Sequence, residues 1–156
     1  MTTIAADRGM IAGDQKCTDD DKSFRTRKIR KVGEALVGAA GTGPAIGKFF
    51  RWLEHGKQEE PPKFAKDDEL AALVVTPDGL FVYDTSCTPE EILDDFYAVG
   101  SGAQAALAAM HLGCQPDQAV AIACKVDNNT GGQVDLLYLH GYVRKEPARA
   151  RKTARA

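Results

Sequence analysis

The order of apolar segments along the chain limits its fold more tightly than any other feature. Short strand-like segments come first, followed by one amphipathic segment, more strand segments, two helical segments and a last strand segment. Strand segments joined by short turns favour antiparallel pairing, and the helices must cover the apolar faces of the resulting sheets. The sequence therefore predicts an α+β fold in which antiparallel sheets lie between helical layers.

Turn-forming residues mark most of the boundaries. Asp7-Arg8-Gly9 separates two strands of an N-terminal hairpin, and Thr76-Pro77-Asp78-Gly79 separates the strands of another. Strands are predicted over residues 2–6, 10–12, 24–32, 35–40, 70–75, 80–83, 96–99 and 134–139, and helices over residues 42–56, 103–112 and 116–126. Residues 15–22 are polar and are expected to form a loop, whereas residues 88–91 are expected to form a brief helical turn.

Charge is distributed unevenly along the 156 residues. Residues 144–156 carry six Lys or Arg and one Glu, which leaves 14 basic against 21 acidic residues in the rest of the chain. The length and composition fit one globular domain over residues 1–143, followed by a basic tail over residues 144–156 that is expected to be disordered. The pI of about 5.9 argues against the domain being a nucleic-acid binder.

The sequence offers no pattern of a leader, a membrane span or a metal site. No apolar run approaches the roughly 18 residues of a spanning helix, so we expect a cytoplasmic protein without membrane contact. The four cysteines lack CxxC spacing and the three histidines are scattered. Reduced thiols, no bound metal and no cofactor are therefore expected.

The start of the chain, Met1-Thr2-Thr3, permits an unusual nucleophile. Removal of Met1 would leave Thr2 with its hydroxyl and its α-amine on one residue. An amine with a reference pKa near 8 is a competent base for a neighbouring hydroxyl. The alternative interpretation is an ordinary strand start, and the choice depends on what the remaining residues supply.

Six short motifs follow one another along the chain. They are Thr2-Thr3-Ile4, Ile11-Ala12-Gly13-Asp14, Arg27-Lys28-Ile29-Arg30-Lys31, Gly38-Ala39-Ala40-Gly41, Gly100-Ser101-Gly102 and Asp127-Asn128-Asn129-Thr130-Gly131-Gly132. Each motif alone is common, but over residues 2–140 their order and spacing together resemble the proteasome β-subunit family of N-terminal nucleophile (Ntn) hydrolases, and its HslV-like members in particular.

The resemblance implies that Thr2 is the nucleophile, Lys28 the catalytic lysine and Asp14 the carboxylate that holds it. An ammonium near a hydroxyl lowers its proton affinity, and a carboxylate keeps the ammonium in place. Gly41 matches the glycine whose N–H forms the oxyanion hole. Apart from the resemblance, Asp14 could be a turn residue, and a lysine in a basic run such as Lys28 or Lys31 is more often solvated.

The same resemblance assigns Ser101 to a position near the Thr2 amine and Asp127 to the orientation of Ser101. Thr130 stands where the family more often has serine, and it keeps the hydroxyl. The alternatives are structural, since Ser101 could cap the following helix and Asp127 could end the preceding one.

For the whole protein, the resemblance implies a four-layer αββα sandwich and a threonine peptidase that acts on peptides or proteins. It also implies a homo-oligomeric ring or double ring, with an ATPase unfoldase as a further partner. Two alternatives stay open: a catalytically silent proteasome-fold subunit that retains Met1, and an Ntn amidase that acts on a small molecule. Ala39 and Gly43 match positions near the family's specificity pocket, where small side chains would favour bulky apolar substrate residues.

Overall fold

The computed structural model describes residues 1–144, so the predicted tail over residues 144–156 lies outside the described residues except for Arg144. The helices are α1 (Gly43–Glu54), α2 (Ala103–His111) and α3 (Pro116–Val126). The strands are β1 (Thr3–Asp7), β2 (Met10–Asp14), β3 (Lys16–Asp19), β4 (Lys22–Arg25), β5 (Ile29–Val32), β6 (Ala35–Gly41), β7 (Leu70–Thr76), β8 (Gly79–Tyr83), β9 (Glu90–Ile92), β10 (Phe96–Gly100) and β11 (Val134–Tyr138).

All strand pairs are antiparallel and form three sheets. The four-stranded sheet has the order β10-β1-β2-β11, the five-stranded sheet runs from β5 to β9 in sequence order, and β3 pairs with β4 alone. In the four-stranded sheet, Thr3 lies opposite Gly100 and Asp14 lies opposite Val134. The start of β1, the end of β2 and the end of β10 therefore meet at one end of this sheet. This α+β architecture agrees with the predicted fold class.

Three apolar clusters account for the core. Aromatic residues of α1, including Phe49 and Phe50, pack on β6 and β7 through Val37 and Val74. A second cluster joins the two large sheets, where Ile4 and Ile11 meet residues of β5 to β8 such as Leu36, Leu73 and Leu80. In the third, alanines of α2 and α3 contact alanines of β1, β2 and β10. Small side chains on both sides let these helices approach the sheet closely.

The sequence of α1 explains where that helix begins. Thr42 takes an extended conformation at the N-cap, and Pro44 follows in the first turn, where the missing N–H is no loss. The Thr42 hydroxyl donates to the Asp68 carboxylate at 3.0 Å and makes no capping bond to the helix. The start of the helix is thereby attached to the end of the 57–68 connection.

The prediction of a loop over residues 15–22 is wrong. These residues form most of the β3–β4 hairpin, whose turn uses Asp20 at a φ of 50°. Aspartate tolerates this left-handed conformation better than most residues. Both faces of the hairpin are largely polar and exposed, so the period-2 pattern that reveals a half-buried strand is missing. The single strand predicted over residues 24–32 is divided, with β4 ending at Arg25 and β5 beginning at Ile29.

The prediction of a helical turn over residues 88–91 is also wrong. Residues 90–92 form β9, which extends the five-stranded sheet by pairing with Leu80, Phe81 and Val82 of β8. Pairing with an existing sheet edge outweighs the weak local preference of two glutamates for helix. No helix within residues 1–144 is long and apolar enough to span a membrane.

Candidate active site

A cavity of about 420 Å³ opens where β1 begins. Met1 covers one side and is 65% exposed, whereas Thr2 beneath it is only 5% exposed. The lining comes from the last residues of β6 and β10, the first residues of β7 and the N-terminus. Its residues are Met1, Thr2, Ala40, Gly41, Thr42, Glu69, Leu70, Ala71, Gly100 and Ser101.

A buried ion pair lies directly behind Thr2. The Lys28 ammonium and the Asp14 carboxylate are 2.9 Å apart, with exposed side-chain fractions of 7% and 0%. Lys28 also donates to the carbonyl of Lys16 and, at 3.2 Å, to the carbonyl of Met1. All three N–H donors of this ammonium are therefore engaged. In contrast to Lys28, Lys31 is exposed.

The Asp14 carboxylate is fully satisfied by its surroundings. Besides the Lys28 ammonium, it accepts hydrogen bonds from the backbone N–H groups of Thr3 at 3.0 Å and Gly131 at 3.0 Å. A longer bond of 3.3 Å comes from the N–H of Lys16. A buried carboxylate is tolerated only with such partners. Asp14 thus fixes Lys28, the start of β1 and the turn after Asn129 relative to one another.

A chain of hydroxyls starts at Thr3, the residue after Thr2. The N–H of Gly102 donates to Thr3 Oγ1 at 3.1 Å, and Thr3 Oγ1 lies 2.7 Å from Thr130 Oγ1. Thr130 Oγ1 donates to Asp127 Oδ2 at 2.6 Å, so the proton between the two threonines comes from Thr3. Ser101 Oγ donates to the same Asp127 oxygen at 2.6 Å.

These hydrogen bonds change the acidity of Asp127. The Ser101 hydroxyl, followed by the Thr130 hydroxyl, stabilises the charged carboxylate and lowers the pKa of Asp127 below its usual value. Asp127 follows α3 directly and accepts the N–H of Asn129 at 3.1 Å, which holds the turn in place. It therefore ends the helix and also anchors the two hydroxyls. The backbone N–H of Ser101 donates to the Thr2 carbonyl at 2.8 Å.

Gly41 lies at the edge of the cavity in a conformation that favours glycine. Its φ is +138°, and a Cβ there would lie 1.9 Å from the carbonyl oxygen of Glu69. Thr42 donates its N–H to the carbonyl of Glu69, the residue before β7, and Ala39 donates its N–H to the carbonyl of Lys28 on the opposite side of β6. The alternation of an antiparallel ladder directs the Gly41 N–H to the same side as that of Ala39. Because β5 begins only at Ile29, no strand within residues 1–144 pairs with this side of Gly41.

The seven predicted site residues gather around the first two threonines. Ser101 is not the N-cap of α2, a position held by Gly102, because the Ser101 hydroxyl points to Asp127. Ala39 is fully buried among the α1-side residues, and neither Ala39 nor Gly43 lines the cavity. No group of three or more His, Cys, Asp or Glu side chains within residues 1–144 is arranged to hold a metal ion.

Sequence reasoning missed several groups that complete the site. The Thr3 hydroxyl links Gly102 to Thr130, and the carbonyl of Lys16 binds the Lys28 ammonium. Glu69 lines the cavity although it is distant in sequence from every motif. Thr3 and Gly102 belong to two of the six motifs and could have been predicted as site residues. Backbone carbonyls such as that of Lys16 give no sequence signal.

Solved structures of similar fold cover most of the chain. Thiobacillus denitrificans BPH in complex with epoxomicin is 20% identical, with a TM-score of 0.66 over 88% of this chain and 98% of that chain. Another structure of Thiobacillus denitrificans BPH is 21% identical, with a TM-score of 0.65 over 90% and 99% of the two chains. Eukaryotic HslV from Trypanosoma brucei is 19% identical, with a TM-score of 0.63 over 87% and 98%.

Comparison of sequences finds no match for the chain, in contrast to comparison of structures. No model of a known protein family matches the chain, and no curated protein matches it by sequence. At about one identical residue in five, the likeness to the solved structures lies in the course of the backbone. Nearly the whole length of each of those chains is covered, so this protein adopts the fold of the BPH and HslV structures.

Proposed function

We propose that this protein is a threonine-type endopeptidase whose nucleophile is Thr2 after removal of Met1. The observation that carries the proposal is the hydrogen bond from the buried Lys28 ammonium to the Met1 carbonyl. Loss of Met1 removes that acceptor next to Thr2, while the Asp14 carboxylate and the Lys16 carbonyl still hold the ammonium. One charged donor is then available to the Thr2 hydroxyl, whose proton affinity it lowers.

The reaction then needs only groups of the chain, the peptide and water. Thr2 Oγ1 attacks the scissile carbonyl carbon while its proton passes to the α-amine of Thr2. The C–N bond breaks, the leaving amine takes up the proton, and an acyl ester remains on Thr2. A water molecule, deprotonated by the same amine, releases the acid. The Ser101 N–H binds the Thr2 carbonyl and the Ser101 hydroxyl donates to Asp127, so both residues lie near Thr2 and are proposed to support its α-amine.

Gly41 supplies the group that the developing oxyanion needs. Its N–H is directed to the side of β6 that β5 leaves open, and the absence of a side chain permits close approach of a carbonyl. An extended peptide could pair with this open side of β6, which would present its carbonyl to both Thr2 and Gly41. The peptide substrate class rests on this strand-like binding.

The larger assembly is part of the same proposal. The three core clusters support a four-layer αββα arrangement, with α1 outside one sheet and α2 with α3 outside the other. Leu112, Ile122 and Val126 of the α2–α3 layer expose 88%, 39% and 69% of their surface. Such exposed apolar side chains support subunit packing in a homo-oligomeric ring or double ring. An ATPase unfoldase is proposed as a partner from the HslV-like fold alone.

A catalytically silent subunit is the second candidate. It is favoured by two observations: with Met1 present, Thr2 is 5% exposed, and the third donor of Lys28 is occupied. If Met1 is retained, the chain has no free Thr2 amine and the proposed base is missing.

Two variants of Thr2 separate these candidates. Thr2→Ala keeps a small residue after Met1, so removal of Met1 is preserved while the nucleophile is lost; Thr2→Ser keeps the hydroxyl and is the matched control. We expect turnover of a fluorogenic peptide by the natural sequence, partial turnover by Thr2→Ser and none by Thr2→Ala. Epoxomicin, which is bound in one Thiobacillus denitrificans BPH structure, should label the first two proteins and not the third. Turnover by Thr2→Ala would disprove the role of Thr2.

A further inference from the structure

The cavity beside Thr2 has a carboxylate on its wall that the proposed reaction does not use. Strand β7 pairs with β6 so that Ala71 lies opposite Ala40 and Leu70 lies opposite Gly41. Side chains alternate between the two faces of a strand, which places Glu69 on the same face as Ala71. Glu69 is exposed and lines the cavity together with Ala40 and Ala71.

The backbone of Glu69 is fixed, whereas its carboxylate is available. Its carbonyl accepts the N–H of Thr42 at 2.9 Å, and its N–H donates to the Thr42 hydroxyl at 3.3 Å. The preceding carboxylate, Asp68, is already used by the Thr42 hydroxyl and the N–H of Ala65. Among residues 1–144, no hydrogen bond or ion pair of the Glu69 carboxylate is found.

The other charges at the cavity leave Glu69 without a fixed counter-ion. Lys28 is neutralised by Asp14 at 2.9 Å, and Lys48 lies 3.8 Å from Asp68. The remaining lining is apolar or small, with Ala40, Leu70 and Ala71 beside the acidic group. A wall of this kind suits a side chain with an aliphatic stem and a cationic end.

We propose that Glu69 makes this cavity a subsite for a lysine or arginine of the substrate, next to the scissile bond. The inference rests on the proposed peptidase function and specifies its substrate class. The carboxylate attracts a cationic side chain and repels an acidic one. Both effects contribute to the discrimination between substrates. Because Glu69 is exposed, we expect the preference to be at most about fivefold for each unit of charge.

The test uses internally quenched peptides that differ in one residue, Lys, Gln or Glu, placed in turn on each side of the cleavage point. We expect kcat/KM to fall in the order Lys, Gln, Glu at one of these positions. Glu69→Gln should remove most of this difference, and Glu69→Lys should reverse the order. Glu60→Gln changes the same charge on the exposed 57–68 connection and should leave the preference unchanged.

A binding experiment separates this inference from the peptidase function. The same peptides, fluorescently labelled, are titrated with the Thr2→Ala protein and with Thr2→Ala/Glu69→Gln, and binding is followed by anisotropy. Tighter binding of the Lys peptide that disappears with Glu69→Gln supports the subsite even if the natural protein cleaves nothing. Cleavage or binding without charge preference overturns the subsite and leaves the peptidase proposal intact. An equal loss for all three peptides in Glu69→Gln would also overturn it, since Glu69 would then act on the site as a whole.

Discussion

Two carboxylates flank the N-terminal threonines, and they differ in burial and in the groups that bind them. Asp14 is wholly buried, pairs with an ammonium and accepts three backbone N–H bonds. Asp127 is partly exposed and accepts two hydroxyl bonds together with the N–H of Asn129. Both hold groups next to Thr2, but only Asp14 is shielded from solvent.

The difference shows how stability and chemistry are divided around the site. A buried ion pair contributes little net stability when both partners are present, yet removing one partner leaves an unpaired charge at high cost. The Asp127 network relies on neutral donors near solvent, where water can replace a lost hydroxyl. We therefore expect changes at Asp14 to affect folding and changes at Asp127 to affect mainly local order and pH response.

The largest effect is expected from Asp14→Asn. The substitution keeps the size of the side chain and leaves the Lys28 ammonium buried without its counter-ion, which should lower the free energy of unfolding by about 3–5 kcal/mol. Urea denaturation followed by circular dichroism measures this. Asp127→Asn is the matched control and should cost under about 1 kcal/mol. Equal losses in the two variants would remove the distinction between the carboxylates.

A second variant shows whether the loss comes from the unpaired charge. In Asp14→Asn/Lys28→Met the ammonium is also removed, so the double variant should recover about 2 kcal/mol relative to Asp14→Asn alone. The measurement is the complete double-mutant cycle in urea. If the double variant is less stable than Asp14→Asn, the buried charge is not the cause of the instability.

A smaller effect is expected from Thr130→Val. The Thr130 hydroxyl accepts from Thr3 and donates to Asp127, so its loss leaves the buried Thr3 hydroxyl without an acceptor. We expect a loss of about 1–2 kcal/mol in the free energy of unfolding, measured by urea denaturation. Thr130→Ser keeps the hydroxyl and should remain within about 0.5 kcal/mol of the natural protein. A similar loss in both variants would indicate that packing of the methyl group is responsible.

The smallest effect is a pH dependence carried by Asp127. Its pKa is lowered in the folded protein, first by the Ser101 hydroxyl, so the folded state favours the charged form. The associated stability is present above the unfolded pKa of about 3.9 and is lost as the pH falls through the folded pKa. The stability difference between the natural protein and Asp127→Asn should therefore shrink on acidification. A difference that grows at low pH would contradict the hydrogen-bond assignment.

The sequence revealed the fold where burial leaves a pattern. The strands that contain Ile4, Ile11 and Leu73 are buried on at least one face. Their apolar residues and the turn residues between them were sufficient to predict these strands. The β3–β4 hairpin and β9 are exposed and polar, so neither gives such a pattern. Each forms by pairing with the neighbouring strand in the sequence, and backbone pairing of this kind gives no apolar pattern.

The site was predictable only through the order of its motifs. No local property distinguishes Lys28 from Lys31, because their difference is the burial of Lys28 against Asp14. Glu69 could not be found at all, since its place on the cavity wall follows from the register of β6 with β7. When the register of two paired strands determines where a residue lies, its place in a site can be identified only once the fold is known.

Conversion of Thr2 into an N-terminal nucleophile changes the mass of the chain. Intact mass spectrometry of protein isolated from its natural host, before and after incubation with epoxomicin, measures this change. We expect a mass lower by one methionine, and a single inhibitor adduct that peptide mapping assigns to Thr2. A folded chain that keeps Met1 and forms no adduct would show that Thr2 is not the nucleophile.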